Sequence, residues 1–433
     1  MIPNEKTPST TAQPQKLSPW AEALVNAALP HAPKDGSLQA KTDFIRALTA
    51  QIQACLEFEK WDPRMLESVV AKKDYRTVAT VEVSTLGVTC LLALPDGRLV
   101  TGSHHSGLII HTKGPEHNWS SEVLGEHDGG VVWGLQAFPD GRIVSWSSHG
   151  TLRIWTTGPD GRWHSEALAE EPPLMEGFQA LPDGRIVSGH LNGSLRVWTK
   201  VGHGTWSYET LSGHRDSISC LQALPDGRIV SGCNDGTLRV WTKGADGDWS
   251  FEFIMGHRDA VTCLKILPDG RIVSGSDMEQ ANPLFLKQDN LRVWTRDDDG
   301  FWLSEILSGH TKSIKDLQGF PDGRIVSVGT DQSIRIWTRM TDGYLNTDIL
   351  GGNFDLNSMV QALPDGRIVS AMKDGSLCIW TKDDDERWHC EFCPTEKDPI
   401  TCLQVLPDGS IVSGSFEGKL RIWDGTPIEG GTP

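Results

Sequence analysis

Over most of its length the chain alternates short apolar runs with turn-forming residues. The stretch 215–257 shows the pattern in full. SISCLQAL is a short apolar strand, and Pro-Asp-Gly follows it. Proline fixes φ, aspartate caps the turn and glycine supplies a positive φ, so the chain reverses in a tight hairpin. RIVSG is a second strand, NDG a second turn, TLRVW a third strand, KGADGD a third turn and WSFEFIMGH a fourth strand. Four short strands separated by regular turn signals predict a small antiparallel sheet.

The Pro-Asp-Gly turn recurs at Pro95, Pro139, Pro182, Pro225, Pro268, Pro321, Pro364 and Pro407. The intervals are 43 or 44 residues, except for one of 53 between Pro268 and Pro321. A period near 43 with four strands is that of a propeller blade. The Gly-His before the first strand and the Trp ending the third resemble the WD-repeat β-propeller family. The resemblance covers about residues 75–424, roughly four-fifths of the chain. Trp is followed by Thr in LRVWTK and its kin, and only Trp423-Asp424 has the literal pair. An all-β, eight-bladed propeller is therefore expected. The tail GTPIEGGTP is too rich in glycine for a fourth strand, so the last blade lacks one. Tyr75 precedes Pro95 by the same 20 residues that separate Trp119 from Pro139. The segment YRTVATVEV is thus expected to complete the last blade and close the ring. The alternative, seven blades with one displaced unit, would leave a strand edge exposed.

Outside the repeats the pattern changes. Residues 1–17 are polar and dotted with proline, the mark of a disordered tail. Residues 18–74 read as a small helical region: Ser18-Pro19 is an N-cap and N1 pair, and Phe44, Leu48, Ile52, Cys55 and Leu56 form one helical stripe. That region either packs on the propeller or recruits and dimerises. Residues 425–433 read as a flexible C-terminal tail.

The formal charge of −17 disfavours nucleic acid and anionic membranes as partners and favours a basic protein. Residues 1–74 are neutral, so residues 75–433 carry the whole excess. No apolar run is long enough to span a bilayer, and the N-terminus lacks the pattern of a secretory signal. Cys90, Cys220, Cys263 and Cys402 each lie five residues before a repeat proline, which makes them equivalent core positions rather than disulfide partners. A reducing, cytoplasmic setting is expected. Cys390 and Cys393 have zinc-like spacing but no second pair, and on a strand they face opposite ways. No metal, cofactor or phosphate-binding motif is recognised.

His214, Ser231, Asp235 and Trp241 contain the residue types of a hydrolase triad. Repetition argues against that: His257, Ser274 and Trp294 recur in the fifth unit, and His310, Ser327, Asp331 and Trp337 in the sixth. The family resemblance implies a hydrogen-bonded staple instead, pinning the loop before the first strand to the second turn and third strand. Glu171, Asn353 and Glu396 replace the histidine elsewhere. His105, His149 and Asn192 replace the aspartate, and His111 replaces the first tryptophan.

The expected function is a non-catalytic protein-interaction scaffold. The resemblance places partners on the face bearing the loop before strand one and the turn between strands two and three. His104, Trp146, Arg215, Asn234, Arg258, Thr311, Thr330, Lys373 and Phe416 are the residues expected to point there. The longest interval adds DMEQANPLFLKQDN to one such turn, and Pro283, Leu284, Phe285 and Leu286 are expected to project onto the same face. An adaptor is the second reading, with the helical region recruiting while the propeller reads a ubiquitin-like or other protein tag. A hydrolase or lyase is the third, with His104, His105 and His149 the nearest unit-specific cluster.

Overall fold

The computed structural model describes residues 77–423, except 84–86, 105–106, 116–117, 128, 169–174, 203, 278–289, 341–344, 351–355, 373, 384 and 394–397. The tail, the helical region and the 278–289 loop therefore lie outside the described residues.

Each predicted unit forms four antiparallel strands in sequence order. In the fourth blade these are Ile218–Ala223, Ile229–Cys233, Thr237–Lys243 and Trp249–Met255. Eight such sheets are present among the described residues, and no helix. The last sheet is completed from the other end of the chain: the strand Thr77–Glu82 pairs with Lys419–Trp423, matching Val81 with Leu420. This closure is the one expected, and it rules out a seven-bladed ring. The first strands neighbour one another around the ring, and Val88–Ala93 meets Ile400–Val405 where it closes.

The core lies in the seams between blades. Every second strand is almost wholly buried, and its residues pack against the blade on either side. Leu181, Val187 and Val197 of blade three thus meet Ile218, Ile229 and Trp241 of blade four. The closing seam is built the same way from Leu406, Val412 and Ile422 against Val88 and Leu99, with Ala79 and Val81 of the closing strand added. Gly232 shows how tight a seam is, since a β-carbon there would lie 2.5 Å from Cys220 Sγ and 2.7 Å from Val261 Cγ1. Blade two reverses that exchange. Trp146 stands where blades one, four, five and eight have the glycine, and Gly134 where they have the cysteine.

A bulge interrupts the first strand of blade four between Ile218 and Cys220, freeing Ser219 from the ladder. The Ser219 hydroxyl donates to the Val261 carbonyl of the next blade. Thr89 reaches Val132, Thr262 reaches Ile314 at 2.6 Å, and Thr401 reaches Val88 across the closure. A second belt runs around the outside. Glu209 on one blade accepts from the Trp249 indole at 2.7 Å and the Lys243 ammonium at 2.8 Å on the next. Glu252 does the same for Trp302 and Arg296.

Six of the described cysteines fall into two groups. Cys90, Cys220, Cys263 and Cys402 are free thiols in the seams, and burial pushes Cys90, Cys220 and Cys402 up to about 12. Cys378 and Cys390 are joined by a disulfide between adjacent strands of blade seven. Their diagonal placement on paired strands brings them together. Cys390 and Cys393 pack in two different seams, as their spacing required.

Candidate functional site

The residues that resemble a catalytic triad form buried cross-links. In blade six the Trp337 indole N–H donates to Ser327 Oγ at 2.8 Å. The same hydroxyl pairs with His310 Nε2 at 2.8 Å, and His310 Nδ1 lies 3.1 Å from Asp331. Asp331 also accepts the Thr311 amide at 2.8 Å and the Ser333 hydroxyl at 2.8 Å. Burial raises the Asp331 pKa, but the His310 hydrogen bond and the other donors outweigh it and hold the carboxyl well below its usual range. One carboxylate thus ties the loop before the first strand to the second turn. In blade four His214 Nε2 meets Ser231 Oγ at 2.6 Å, and the Trp241 indole donates to Ser231 at 2.8 Å. Burial, assisted by the Arg239 charge and opposed by Asp235, lowers the His214 pKa to about 4, so the ring is neutral at pH 7. In blade five His257 and Trp294 meet at Ser274. The serine hydroxyls face indoles and imidazoles inside the seams.

The tryptophan–serine bond is the most regular part of the network. Trp155, Trp198, Trp380 and Trp423 donate to Ser145, Ser188, Ser370 and Ser413 at 2.8–3.1 Å. The irregular blades repair what they lack. In blade one His111 replaces the indole: its Nε2 meets Thr101 Oγ1 at 2.9 Å and its Nδ1 meets Ser121 Oγ at 2.8 Å. Desolvation lowers the His111 pKa to about 4. In blade three, where Glu171 stands in the histidine's place, His190 supplies an imidazole from two residues beyond Ser188, at 3.0 Å. Blade eight uses an ion pair instead, with Arg421 Nη1 3.4 Å from the fully buried Asp398.

The two ends of the ring differ in character. At one end lie the eight Pro-Asp-Gly turns. In seven of them the arginine two residues on pairs with the turn aspartate, as Arg142 does with Asp140 at 2.8 Å and Arg228 with Asp226 at 2.7 Å. This end is nearly uniform. The other end carries the second-to-third-strand turns and the loops before the first strands. Arg215, Asn234, Arg258, Thr311 and Thr330 are exposed there, and Phe416 is 63% exposed. His104 is half-buried. Lys373, His105 and Pro283, Leu284, Phe285 and Leu286 lie outside the described residues. Trp146 is placed differently: it sits on the strand Ile143–Ser147, one residue before the turn, half-buried against Phe178 and its cluster.

Sequence reading missed two apolar residues. Leu191, 39% exposed, occupies the same turn position as Asn234 and Phe416. Trp133, 51% exposed, occupies the bulge position where other blades have the bridging Ser or Thr. Aligning the turn tips by register finds the first, and counting residues back from Pro139 finds the second.

The root of the long turn is described on both sides. It joins Ile272–Ser276 to Leu291–Arg296, the second and third strands of the fifth blade. Ser313 of blade six donates to Asp277, and the Asn290 side-chain amide donates to the Lys312 carbonyl at 2.5 Å. Asp277 is thus bound to the next blade.

This geometry defines a closed β-propeller of eight four-stranded blades held by internal polar cross-links. The model described as "WD domain, G-beta repeat" matches residues 206–242, 249–279, 302–338 and 389–424, so the chain carries WD repeats in those segments. The C-terminal WD40 domain of Sif2 has the same fold, with a TM-score of 0.63 and 18% identity over 83% of this chain and 99% of that one. The WD40 β-propeller domain of Doa1 aligns over 82% of this chain and 98% of its own, at 18% identity and a TM-score of 0.48. No curated protein sequence matches the chain. Propellers of this family are in general protein-interaction scaffolds without catalytic activity.

Proposed function

We propose that the protein is a non-catalytic platform that binds another protein through the face built from the pre-strand loops and the second-to-third-strand turns. The contrast between the two ends of the ring carries this reading. The Pro-Asp-Gly end repeats one Asp–Arg pair seven times and offers a partner little to distinguish. The opposite end presents a different residue at nearly every turn tip, among them Leu191, Asn234, Thr330 and Phe416. Specific recognition needs such variety on a rigid support. His214, Ser231, His310 and Ser327 are held in buried networks, which supports a binding rather than a hydrolytic role. The acidic excess of the chain favours a basic partner and repels nucleic acid and anionic lipid. Cys90, Cys220, Cys263 and Cys402 carry no disulfide, in keeping with a cytoplasmic setting, although the Cys378–Cys390 bond runs against it.

Affinity capture with the full chain, compared with a form lacking residues 278–287, tests the share of the long turn. Loss of a captured protein supports its contact role, and unchanged capture assigns binding to the rest of the face. The adaptor reading is separated by deleting residues 1–74. Partner binding that survives while assembly is lost supports it, and loss of neither removes it.

A further inference from the structure

In blades four and six the residue two positions after the buried serine of the second strand sits beside the staple. Blade six shows where it points. There the residue is Gly329, and a β-carbon at that position would lie 2.5 Å from Asp331 Oδ1 and 2.6 Å from His310 Nδ1. A side chain there is aimed at the junction of imidazole and carboxylate. Four other blades carry serine at this position: Ser103, Ser147, Ser276 and Ser415. Blade four alone carries a thiol, Cys233. Its imidazole and carboxylate are also further apart, with His214 Nδ1 4.0 Å from Asp235 Oδ1 against 3.1 Å in blade six.

The result is a cluster of three different donors. Ligand atoms of His214, Cys233 and Asp235 all lie within 4.8 Å of one another, and the histidine and cysteine are buried. Neighbouring ligands on a tetrahedral zinc ion, bound at about 2.0–2.3 Å, stand roughly 3.5 Å apart. Closing the cluster around an ion therefore needs only small side-chain movements. The Cys233 thiol donates to the Asp216 carbonyl at 3.2 Å, a contact that metal binding would break, while other neighbours orient the donors. Ser231 holds His214 Nε2 at 2.6 Å, which turns Nδ1 toward Cys233 and Asp235. The Asp235 amide lies 3.4 Å from Cys233 Sγ, placed to donate to a thiolate. Thr237 Oγ1 lies 3.3 Å from His214 Nδ1 and donates to Asp235 Oδ1 at 2.5 Å, orienting the carboxylate.

We propose that His214 Nδ1, Cys233 Sγ and the Asp235 carboxylate form a binding site for one divalent ion of the zinc class, with a fourth position open to water. Mixed nitrogen, sulfur and oxygen donors suit Zn²⁺ or Co²⁺ and are poorly matched to Ca²⁺ or Mg²⁺. Binding releases the Cys233 thiol proton to solvent as the metal–sulfur bond forms. The ion would link the loop before the first strand to the turn after the second. It would thus replace in blade four the direct His–Asp contact that blade six makes.

The test is a titration of the full chain, stripped of metal, with Co²⁺ and then Zn²⁺. The expected result is one equivalent of Co²⁺ bound with a thiolate-to-cobalt charge-transfer absorption, displaced by Zn²⁺. Cys233→Ser introduces the residue four other blades already carry, so the fold is retained; thermal unfolding without metal verifies it. This variant should lose the charge-transfer band and weaken Zn²⁺ binding by about tenfold or more. Zn²⁺ should raise the unfolding temperature of the parent chain and leave that of the variant unmoved. Binding of less than one equivalent, or a band that persists unchanged in Cys233→Ser, overturns the proposal.

Discussion

Replacing Ser327 by alanine separates a structural role from a catalytic one. The Ser327 side chain is fully buried and serves two neighbours, the Trp337 indole and His310 Nε2, each at 2.8 Å. Ser327→Ala leaves an indole N–H and an imidazole nitrogen without that partner in a seam closed to water. A buried polar group deprived of its partner costs about 1–3 kcal/mol, so the loss for the pair is about 2–6 kcal/mol. The His310–Asp331–Thr311 link is untouched by the change, which keeps the damage local. Thermal and urea unfolding of Ser327→Ala should show this loss, and Ser410→Ala, at an outer turn, should show almost none. In the double variant Ser327→Ala/Trp337→Phe one orphaned donor is gone, so the two changes should be less than additive by about 1 kcal/mol. A loss below about 0.5 kcal/mol, or full additivity, would refute the reasoning. A catalytic serine would instead leave stability nearly unchanged and abolish a turnover.

Three further perturbations test the rest of the ring. Burial pushes the Asp316 carboxyl up to about 6, against the pull of the Val360 and Leu317 amides. The folded value lies above the ordinary one of 3.8, so the native state favours the neutral acid. This group's stabilising effect is full below pH 4 and is lost as pH rises through 6, a change of about 3 kcal/mol at most. Asp316→Asn should flatten that slope in unfolding temperatures measured between pH 4 and 7.5, and an unaltered slope counts against it. Gly232→Ala forces a methyl against Cys220 and Val261 and should cost about 1–3 kcal/mol in urea unfolding. Thr401→Val removes the hydroxyl that reaches Val88 across the ring closure, and should lower stability by about 1 kcal/mol while speeding hydrogen exchange in the strand Thr77–Glu82.

The architecture was legible because each blade repeats the same turn chemistry. Pro-Asp-Gly marks eight hairpins, and the apolar RIVSG type of strand can only be central. Ring closure was legible from one distance, Tyr75 to Pro95, compared with its counterpart in the next unit. Features arising between blades were not. The Glu209 and Glu252 belts join indoles 40 and 50 positions away, with no local pattern to mark them. The substitution of His190 for Glu171 moves an imidazole to another strand, which alignment by position hides. Trp146 was misplaced because its register, one residue before the turn, puts it into a seam. The Cys378–Cys390 bond depends on diagonal pairing that spacing alone does not reveal.

The most direct measurement for the account as a whole compares capture by two charge-altered forms of the full chain. One carries Arg215→Glu and Phe416→Asp at the varied face, where both residues are exposed. The other carries Asp298→Lys, an exposed change in a turn at the Pro-Asp-Gly end. With unfolding temperatures matched, the face variant should lose a protein that the parent and the Asp298 variant both retain. Equal retention by all three, or loss only with Asp298→Lys, would contradict the assignment of binding to that face.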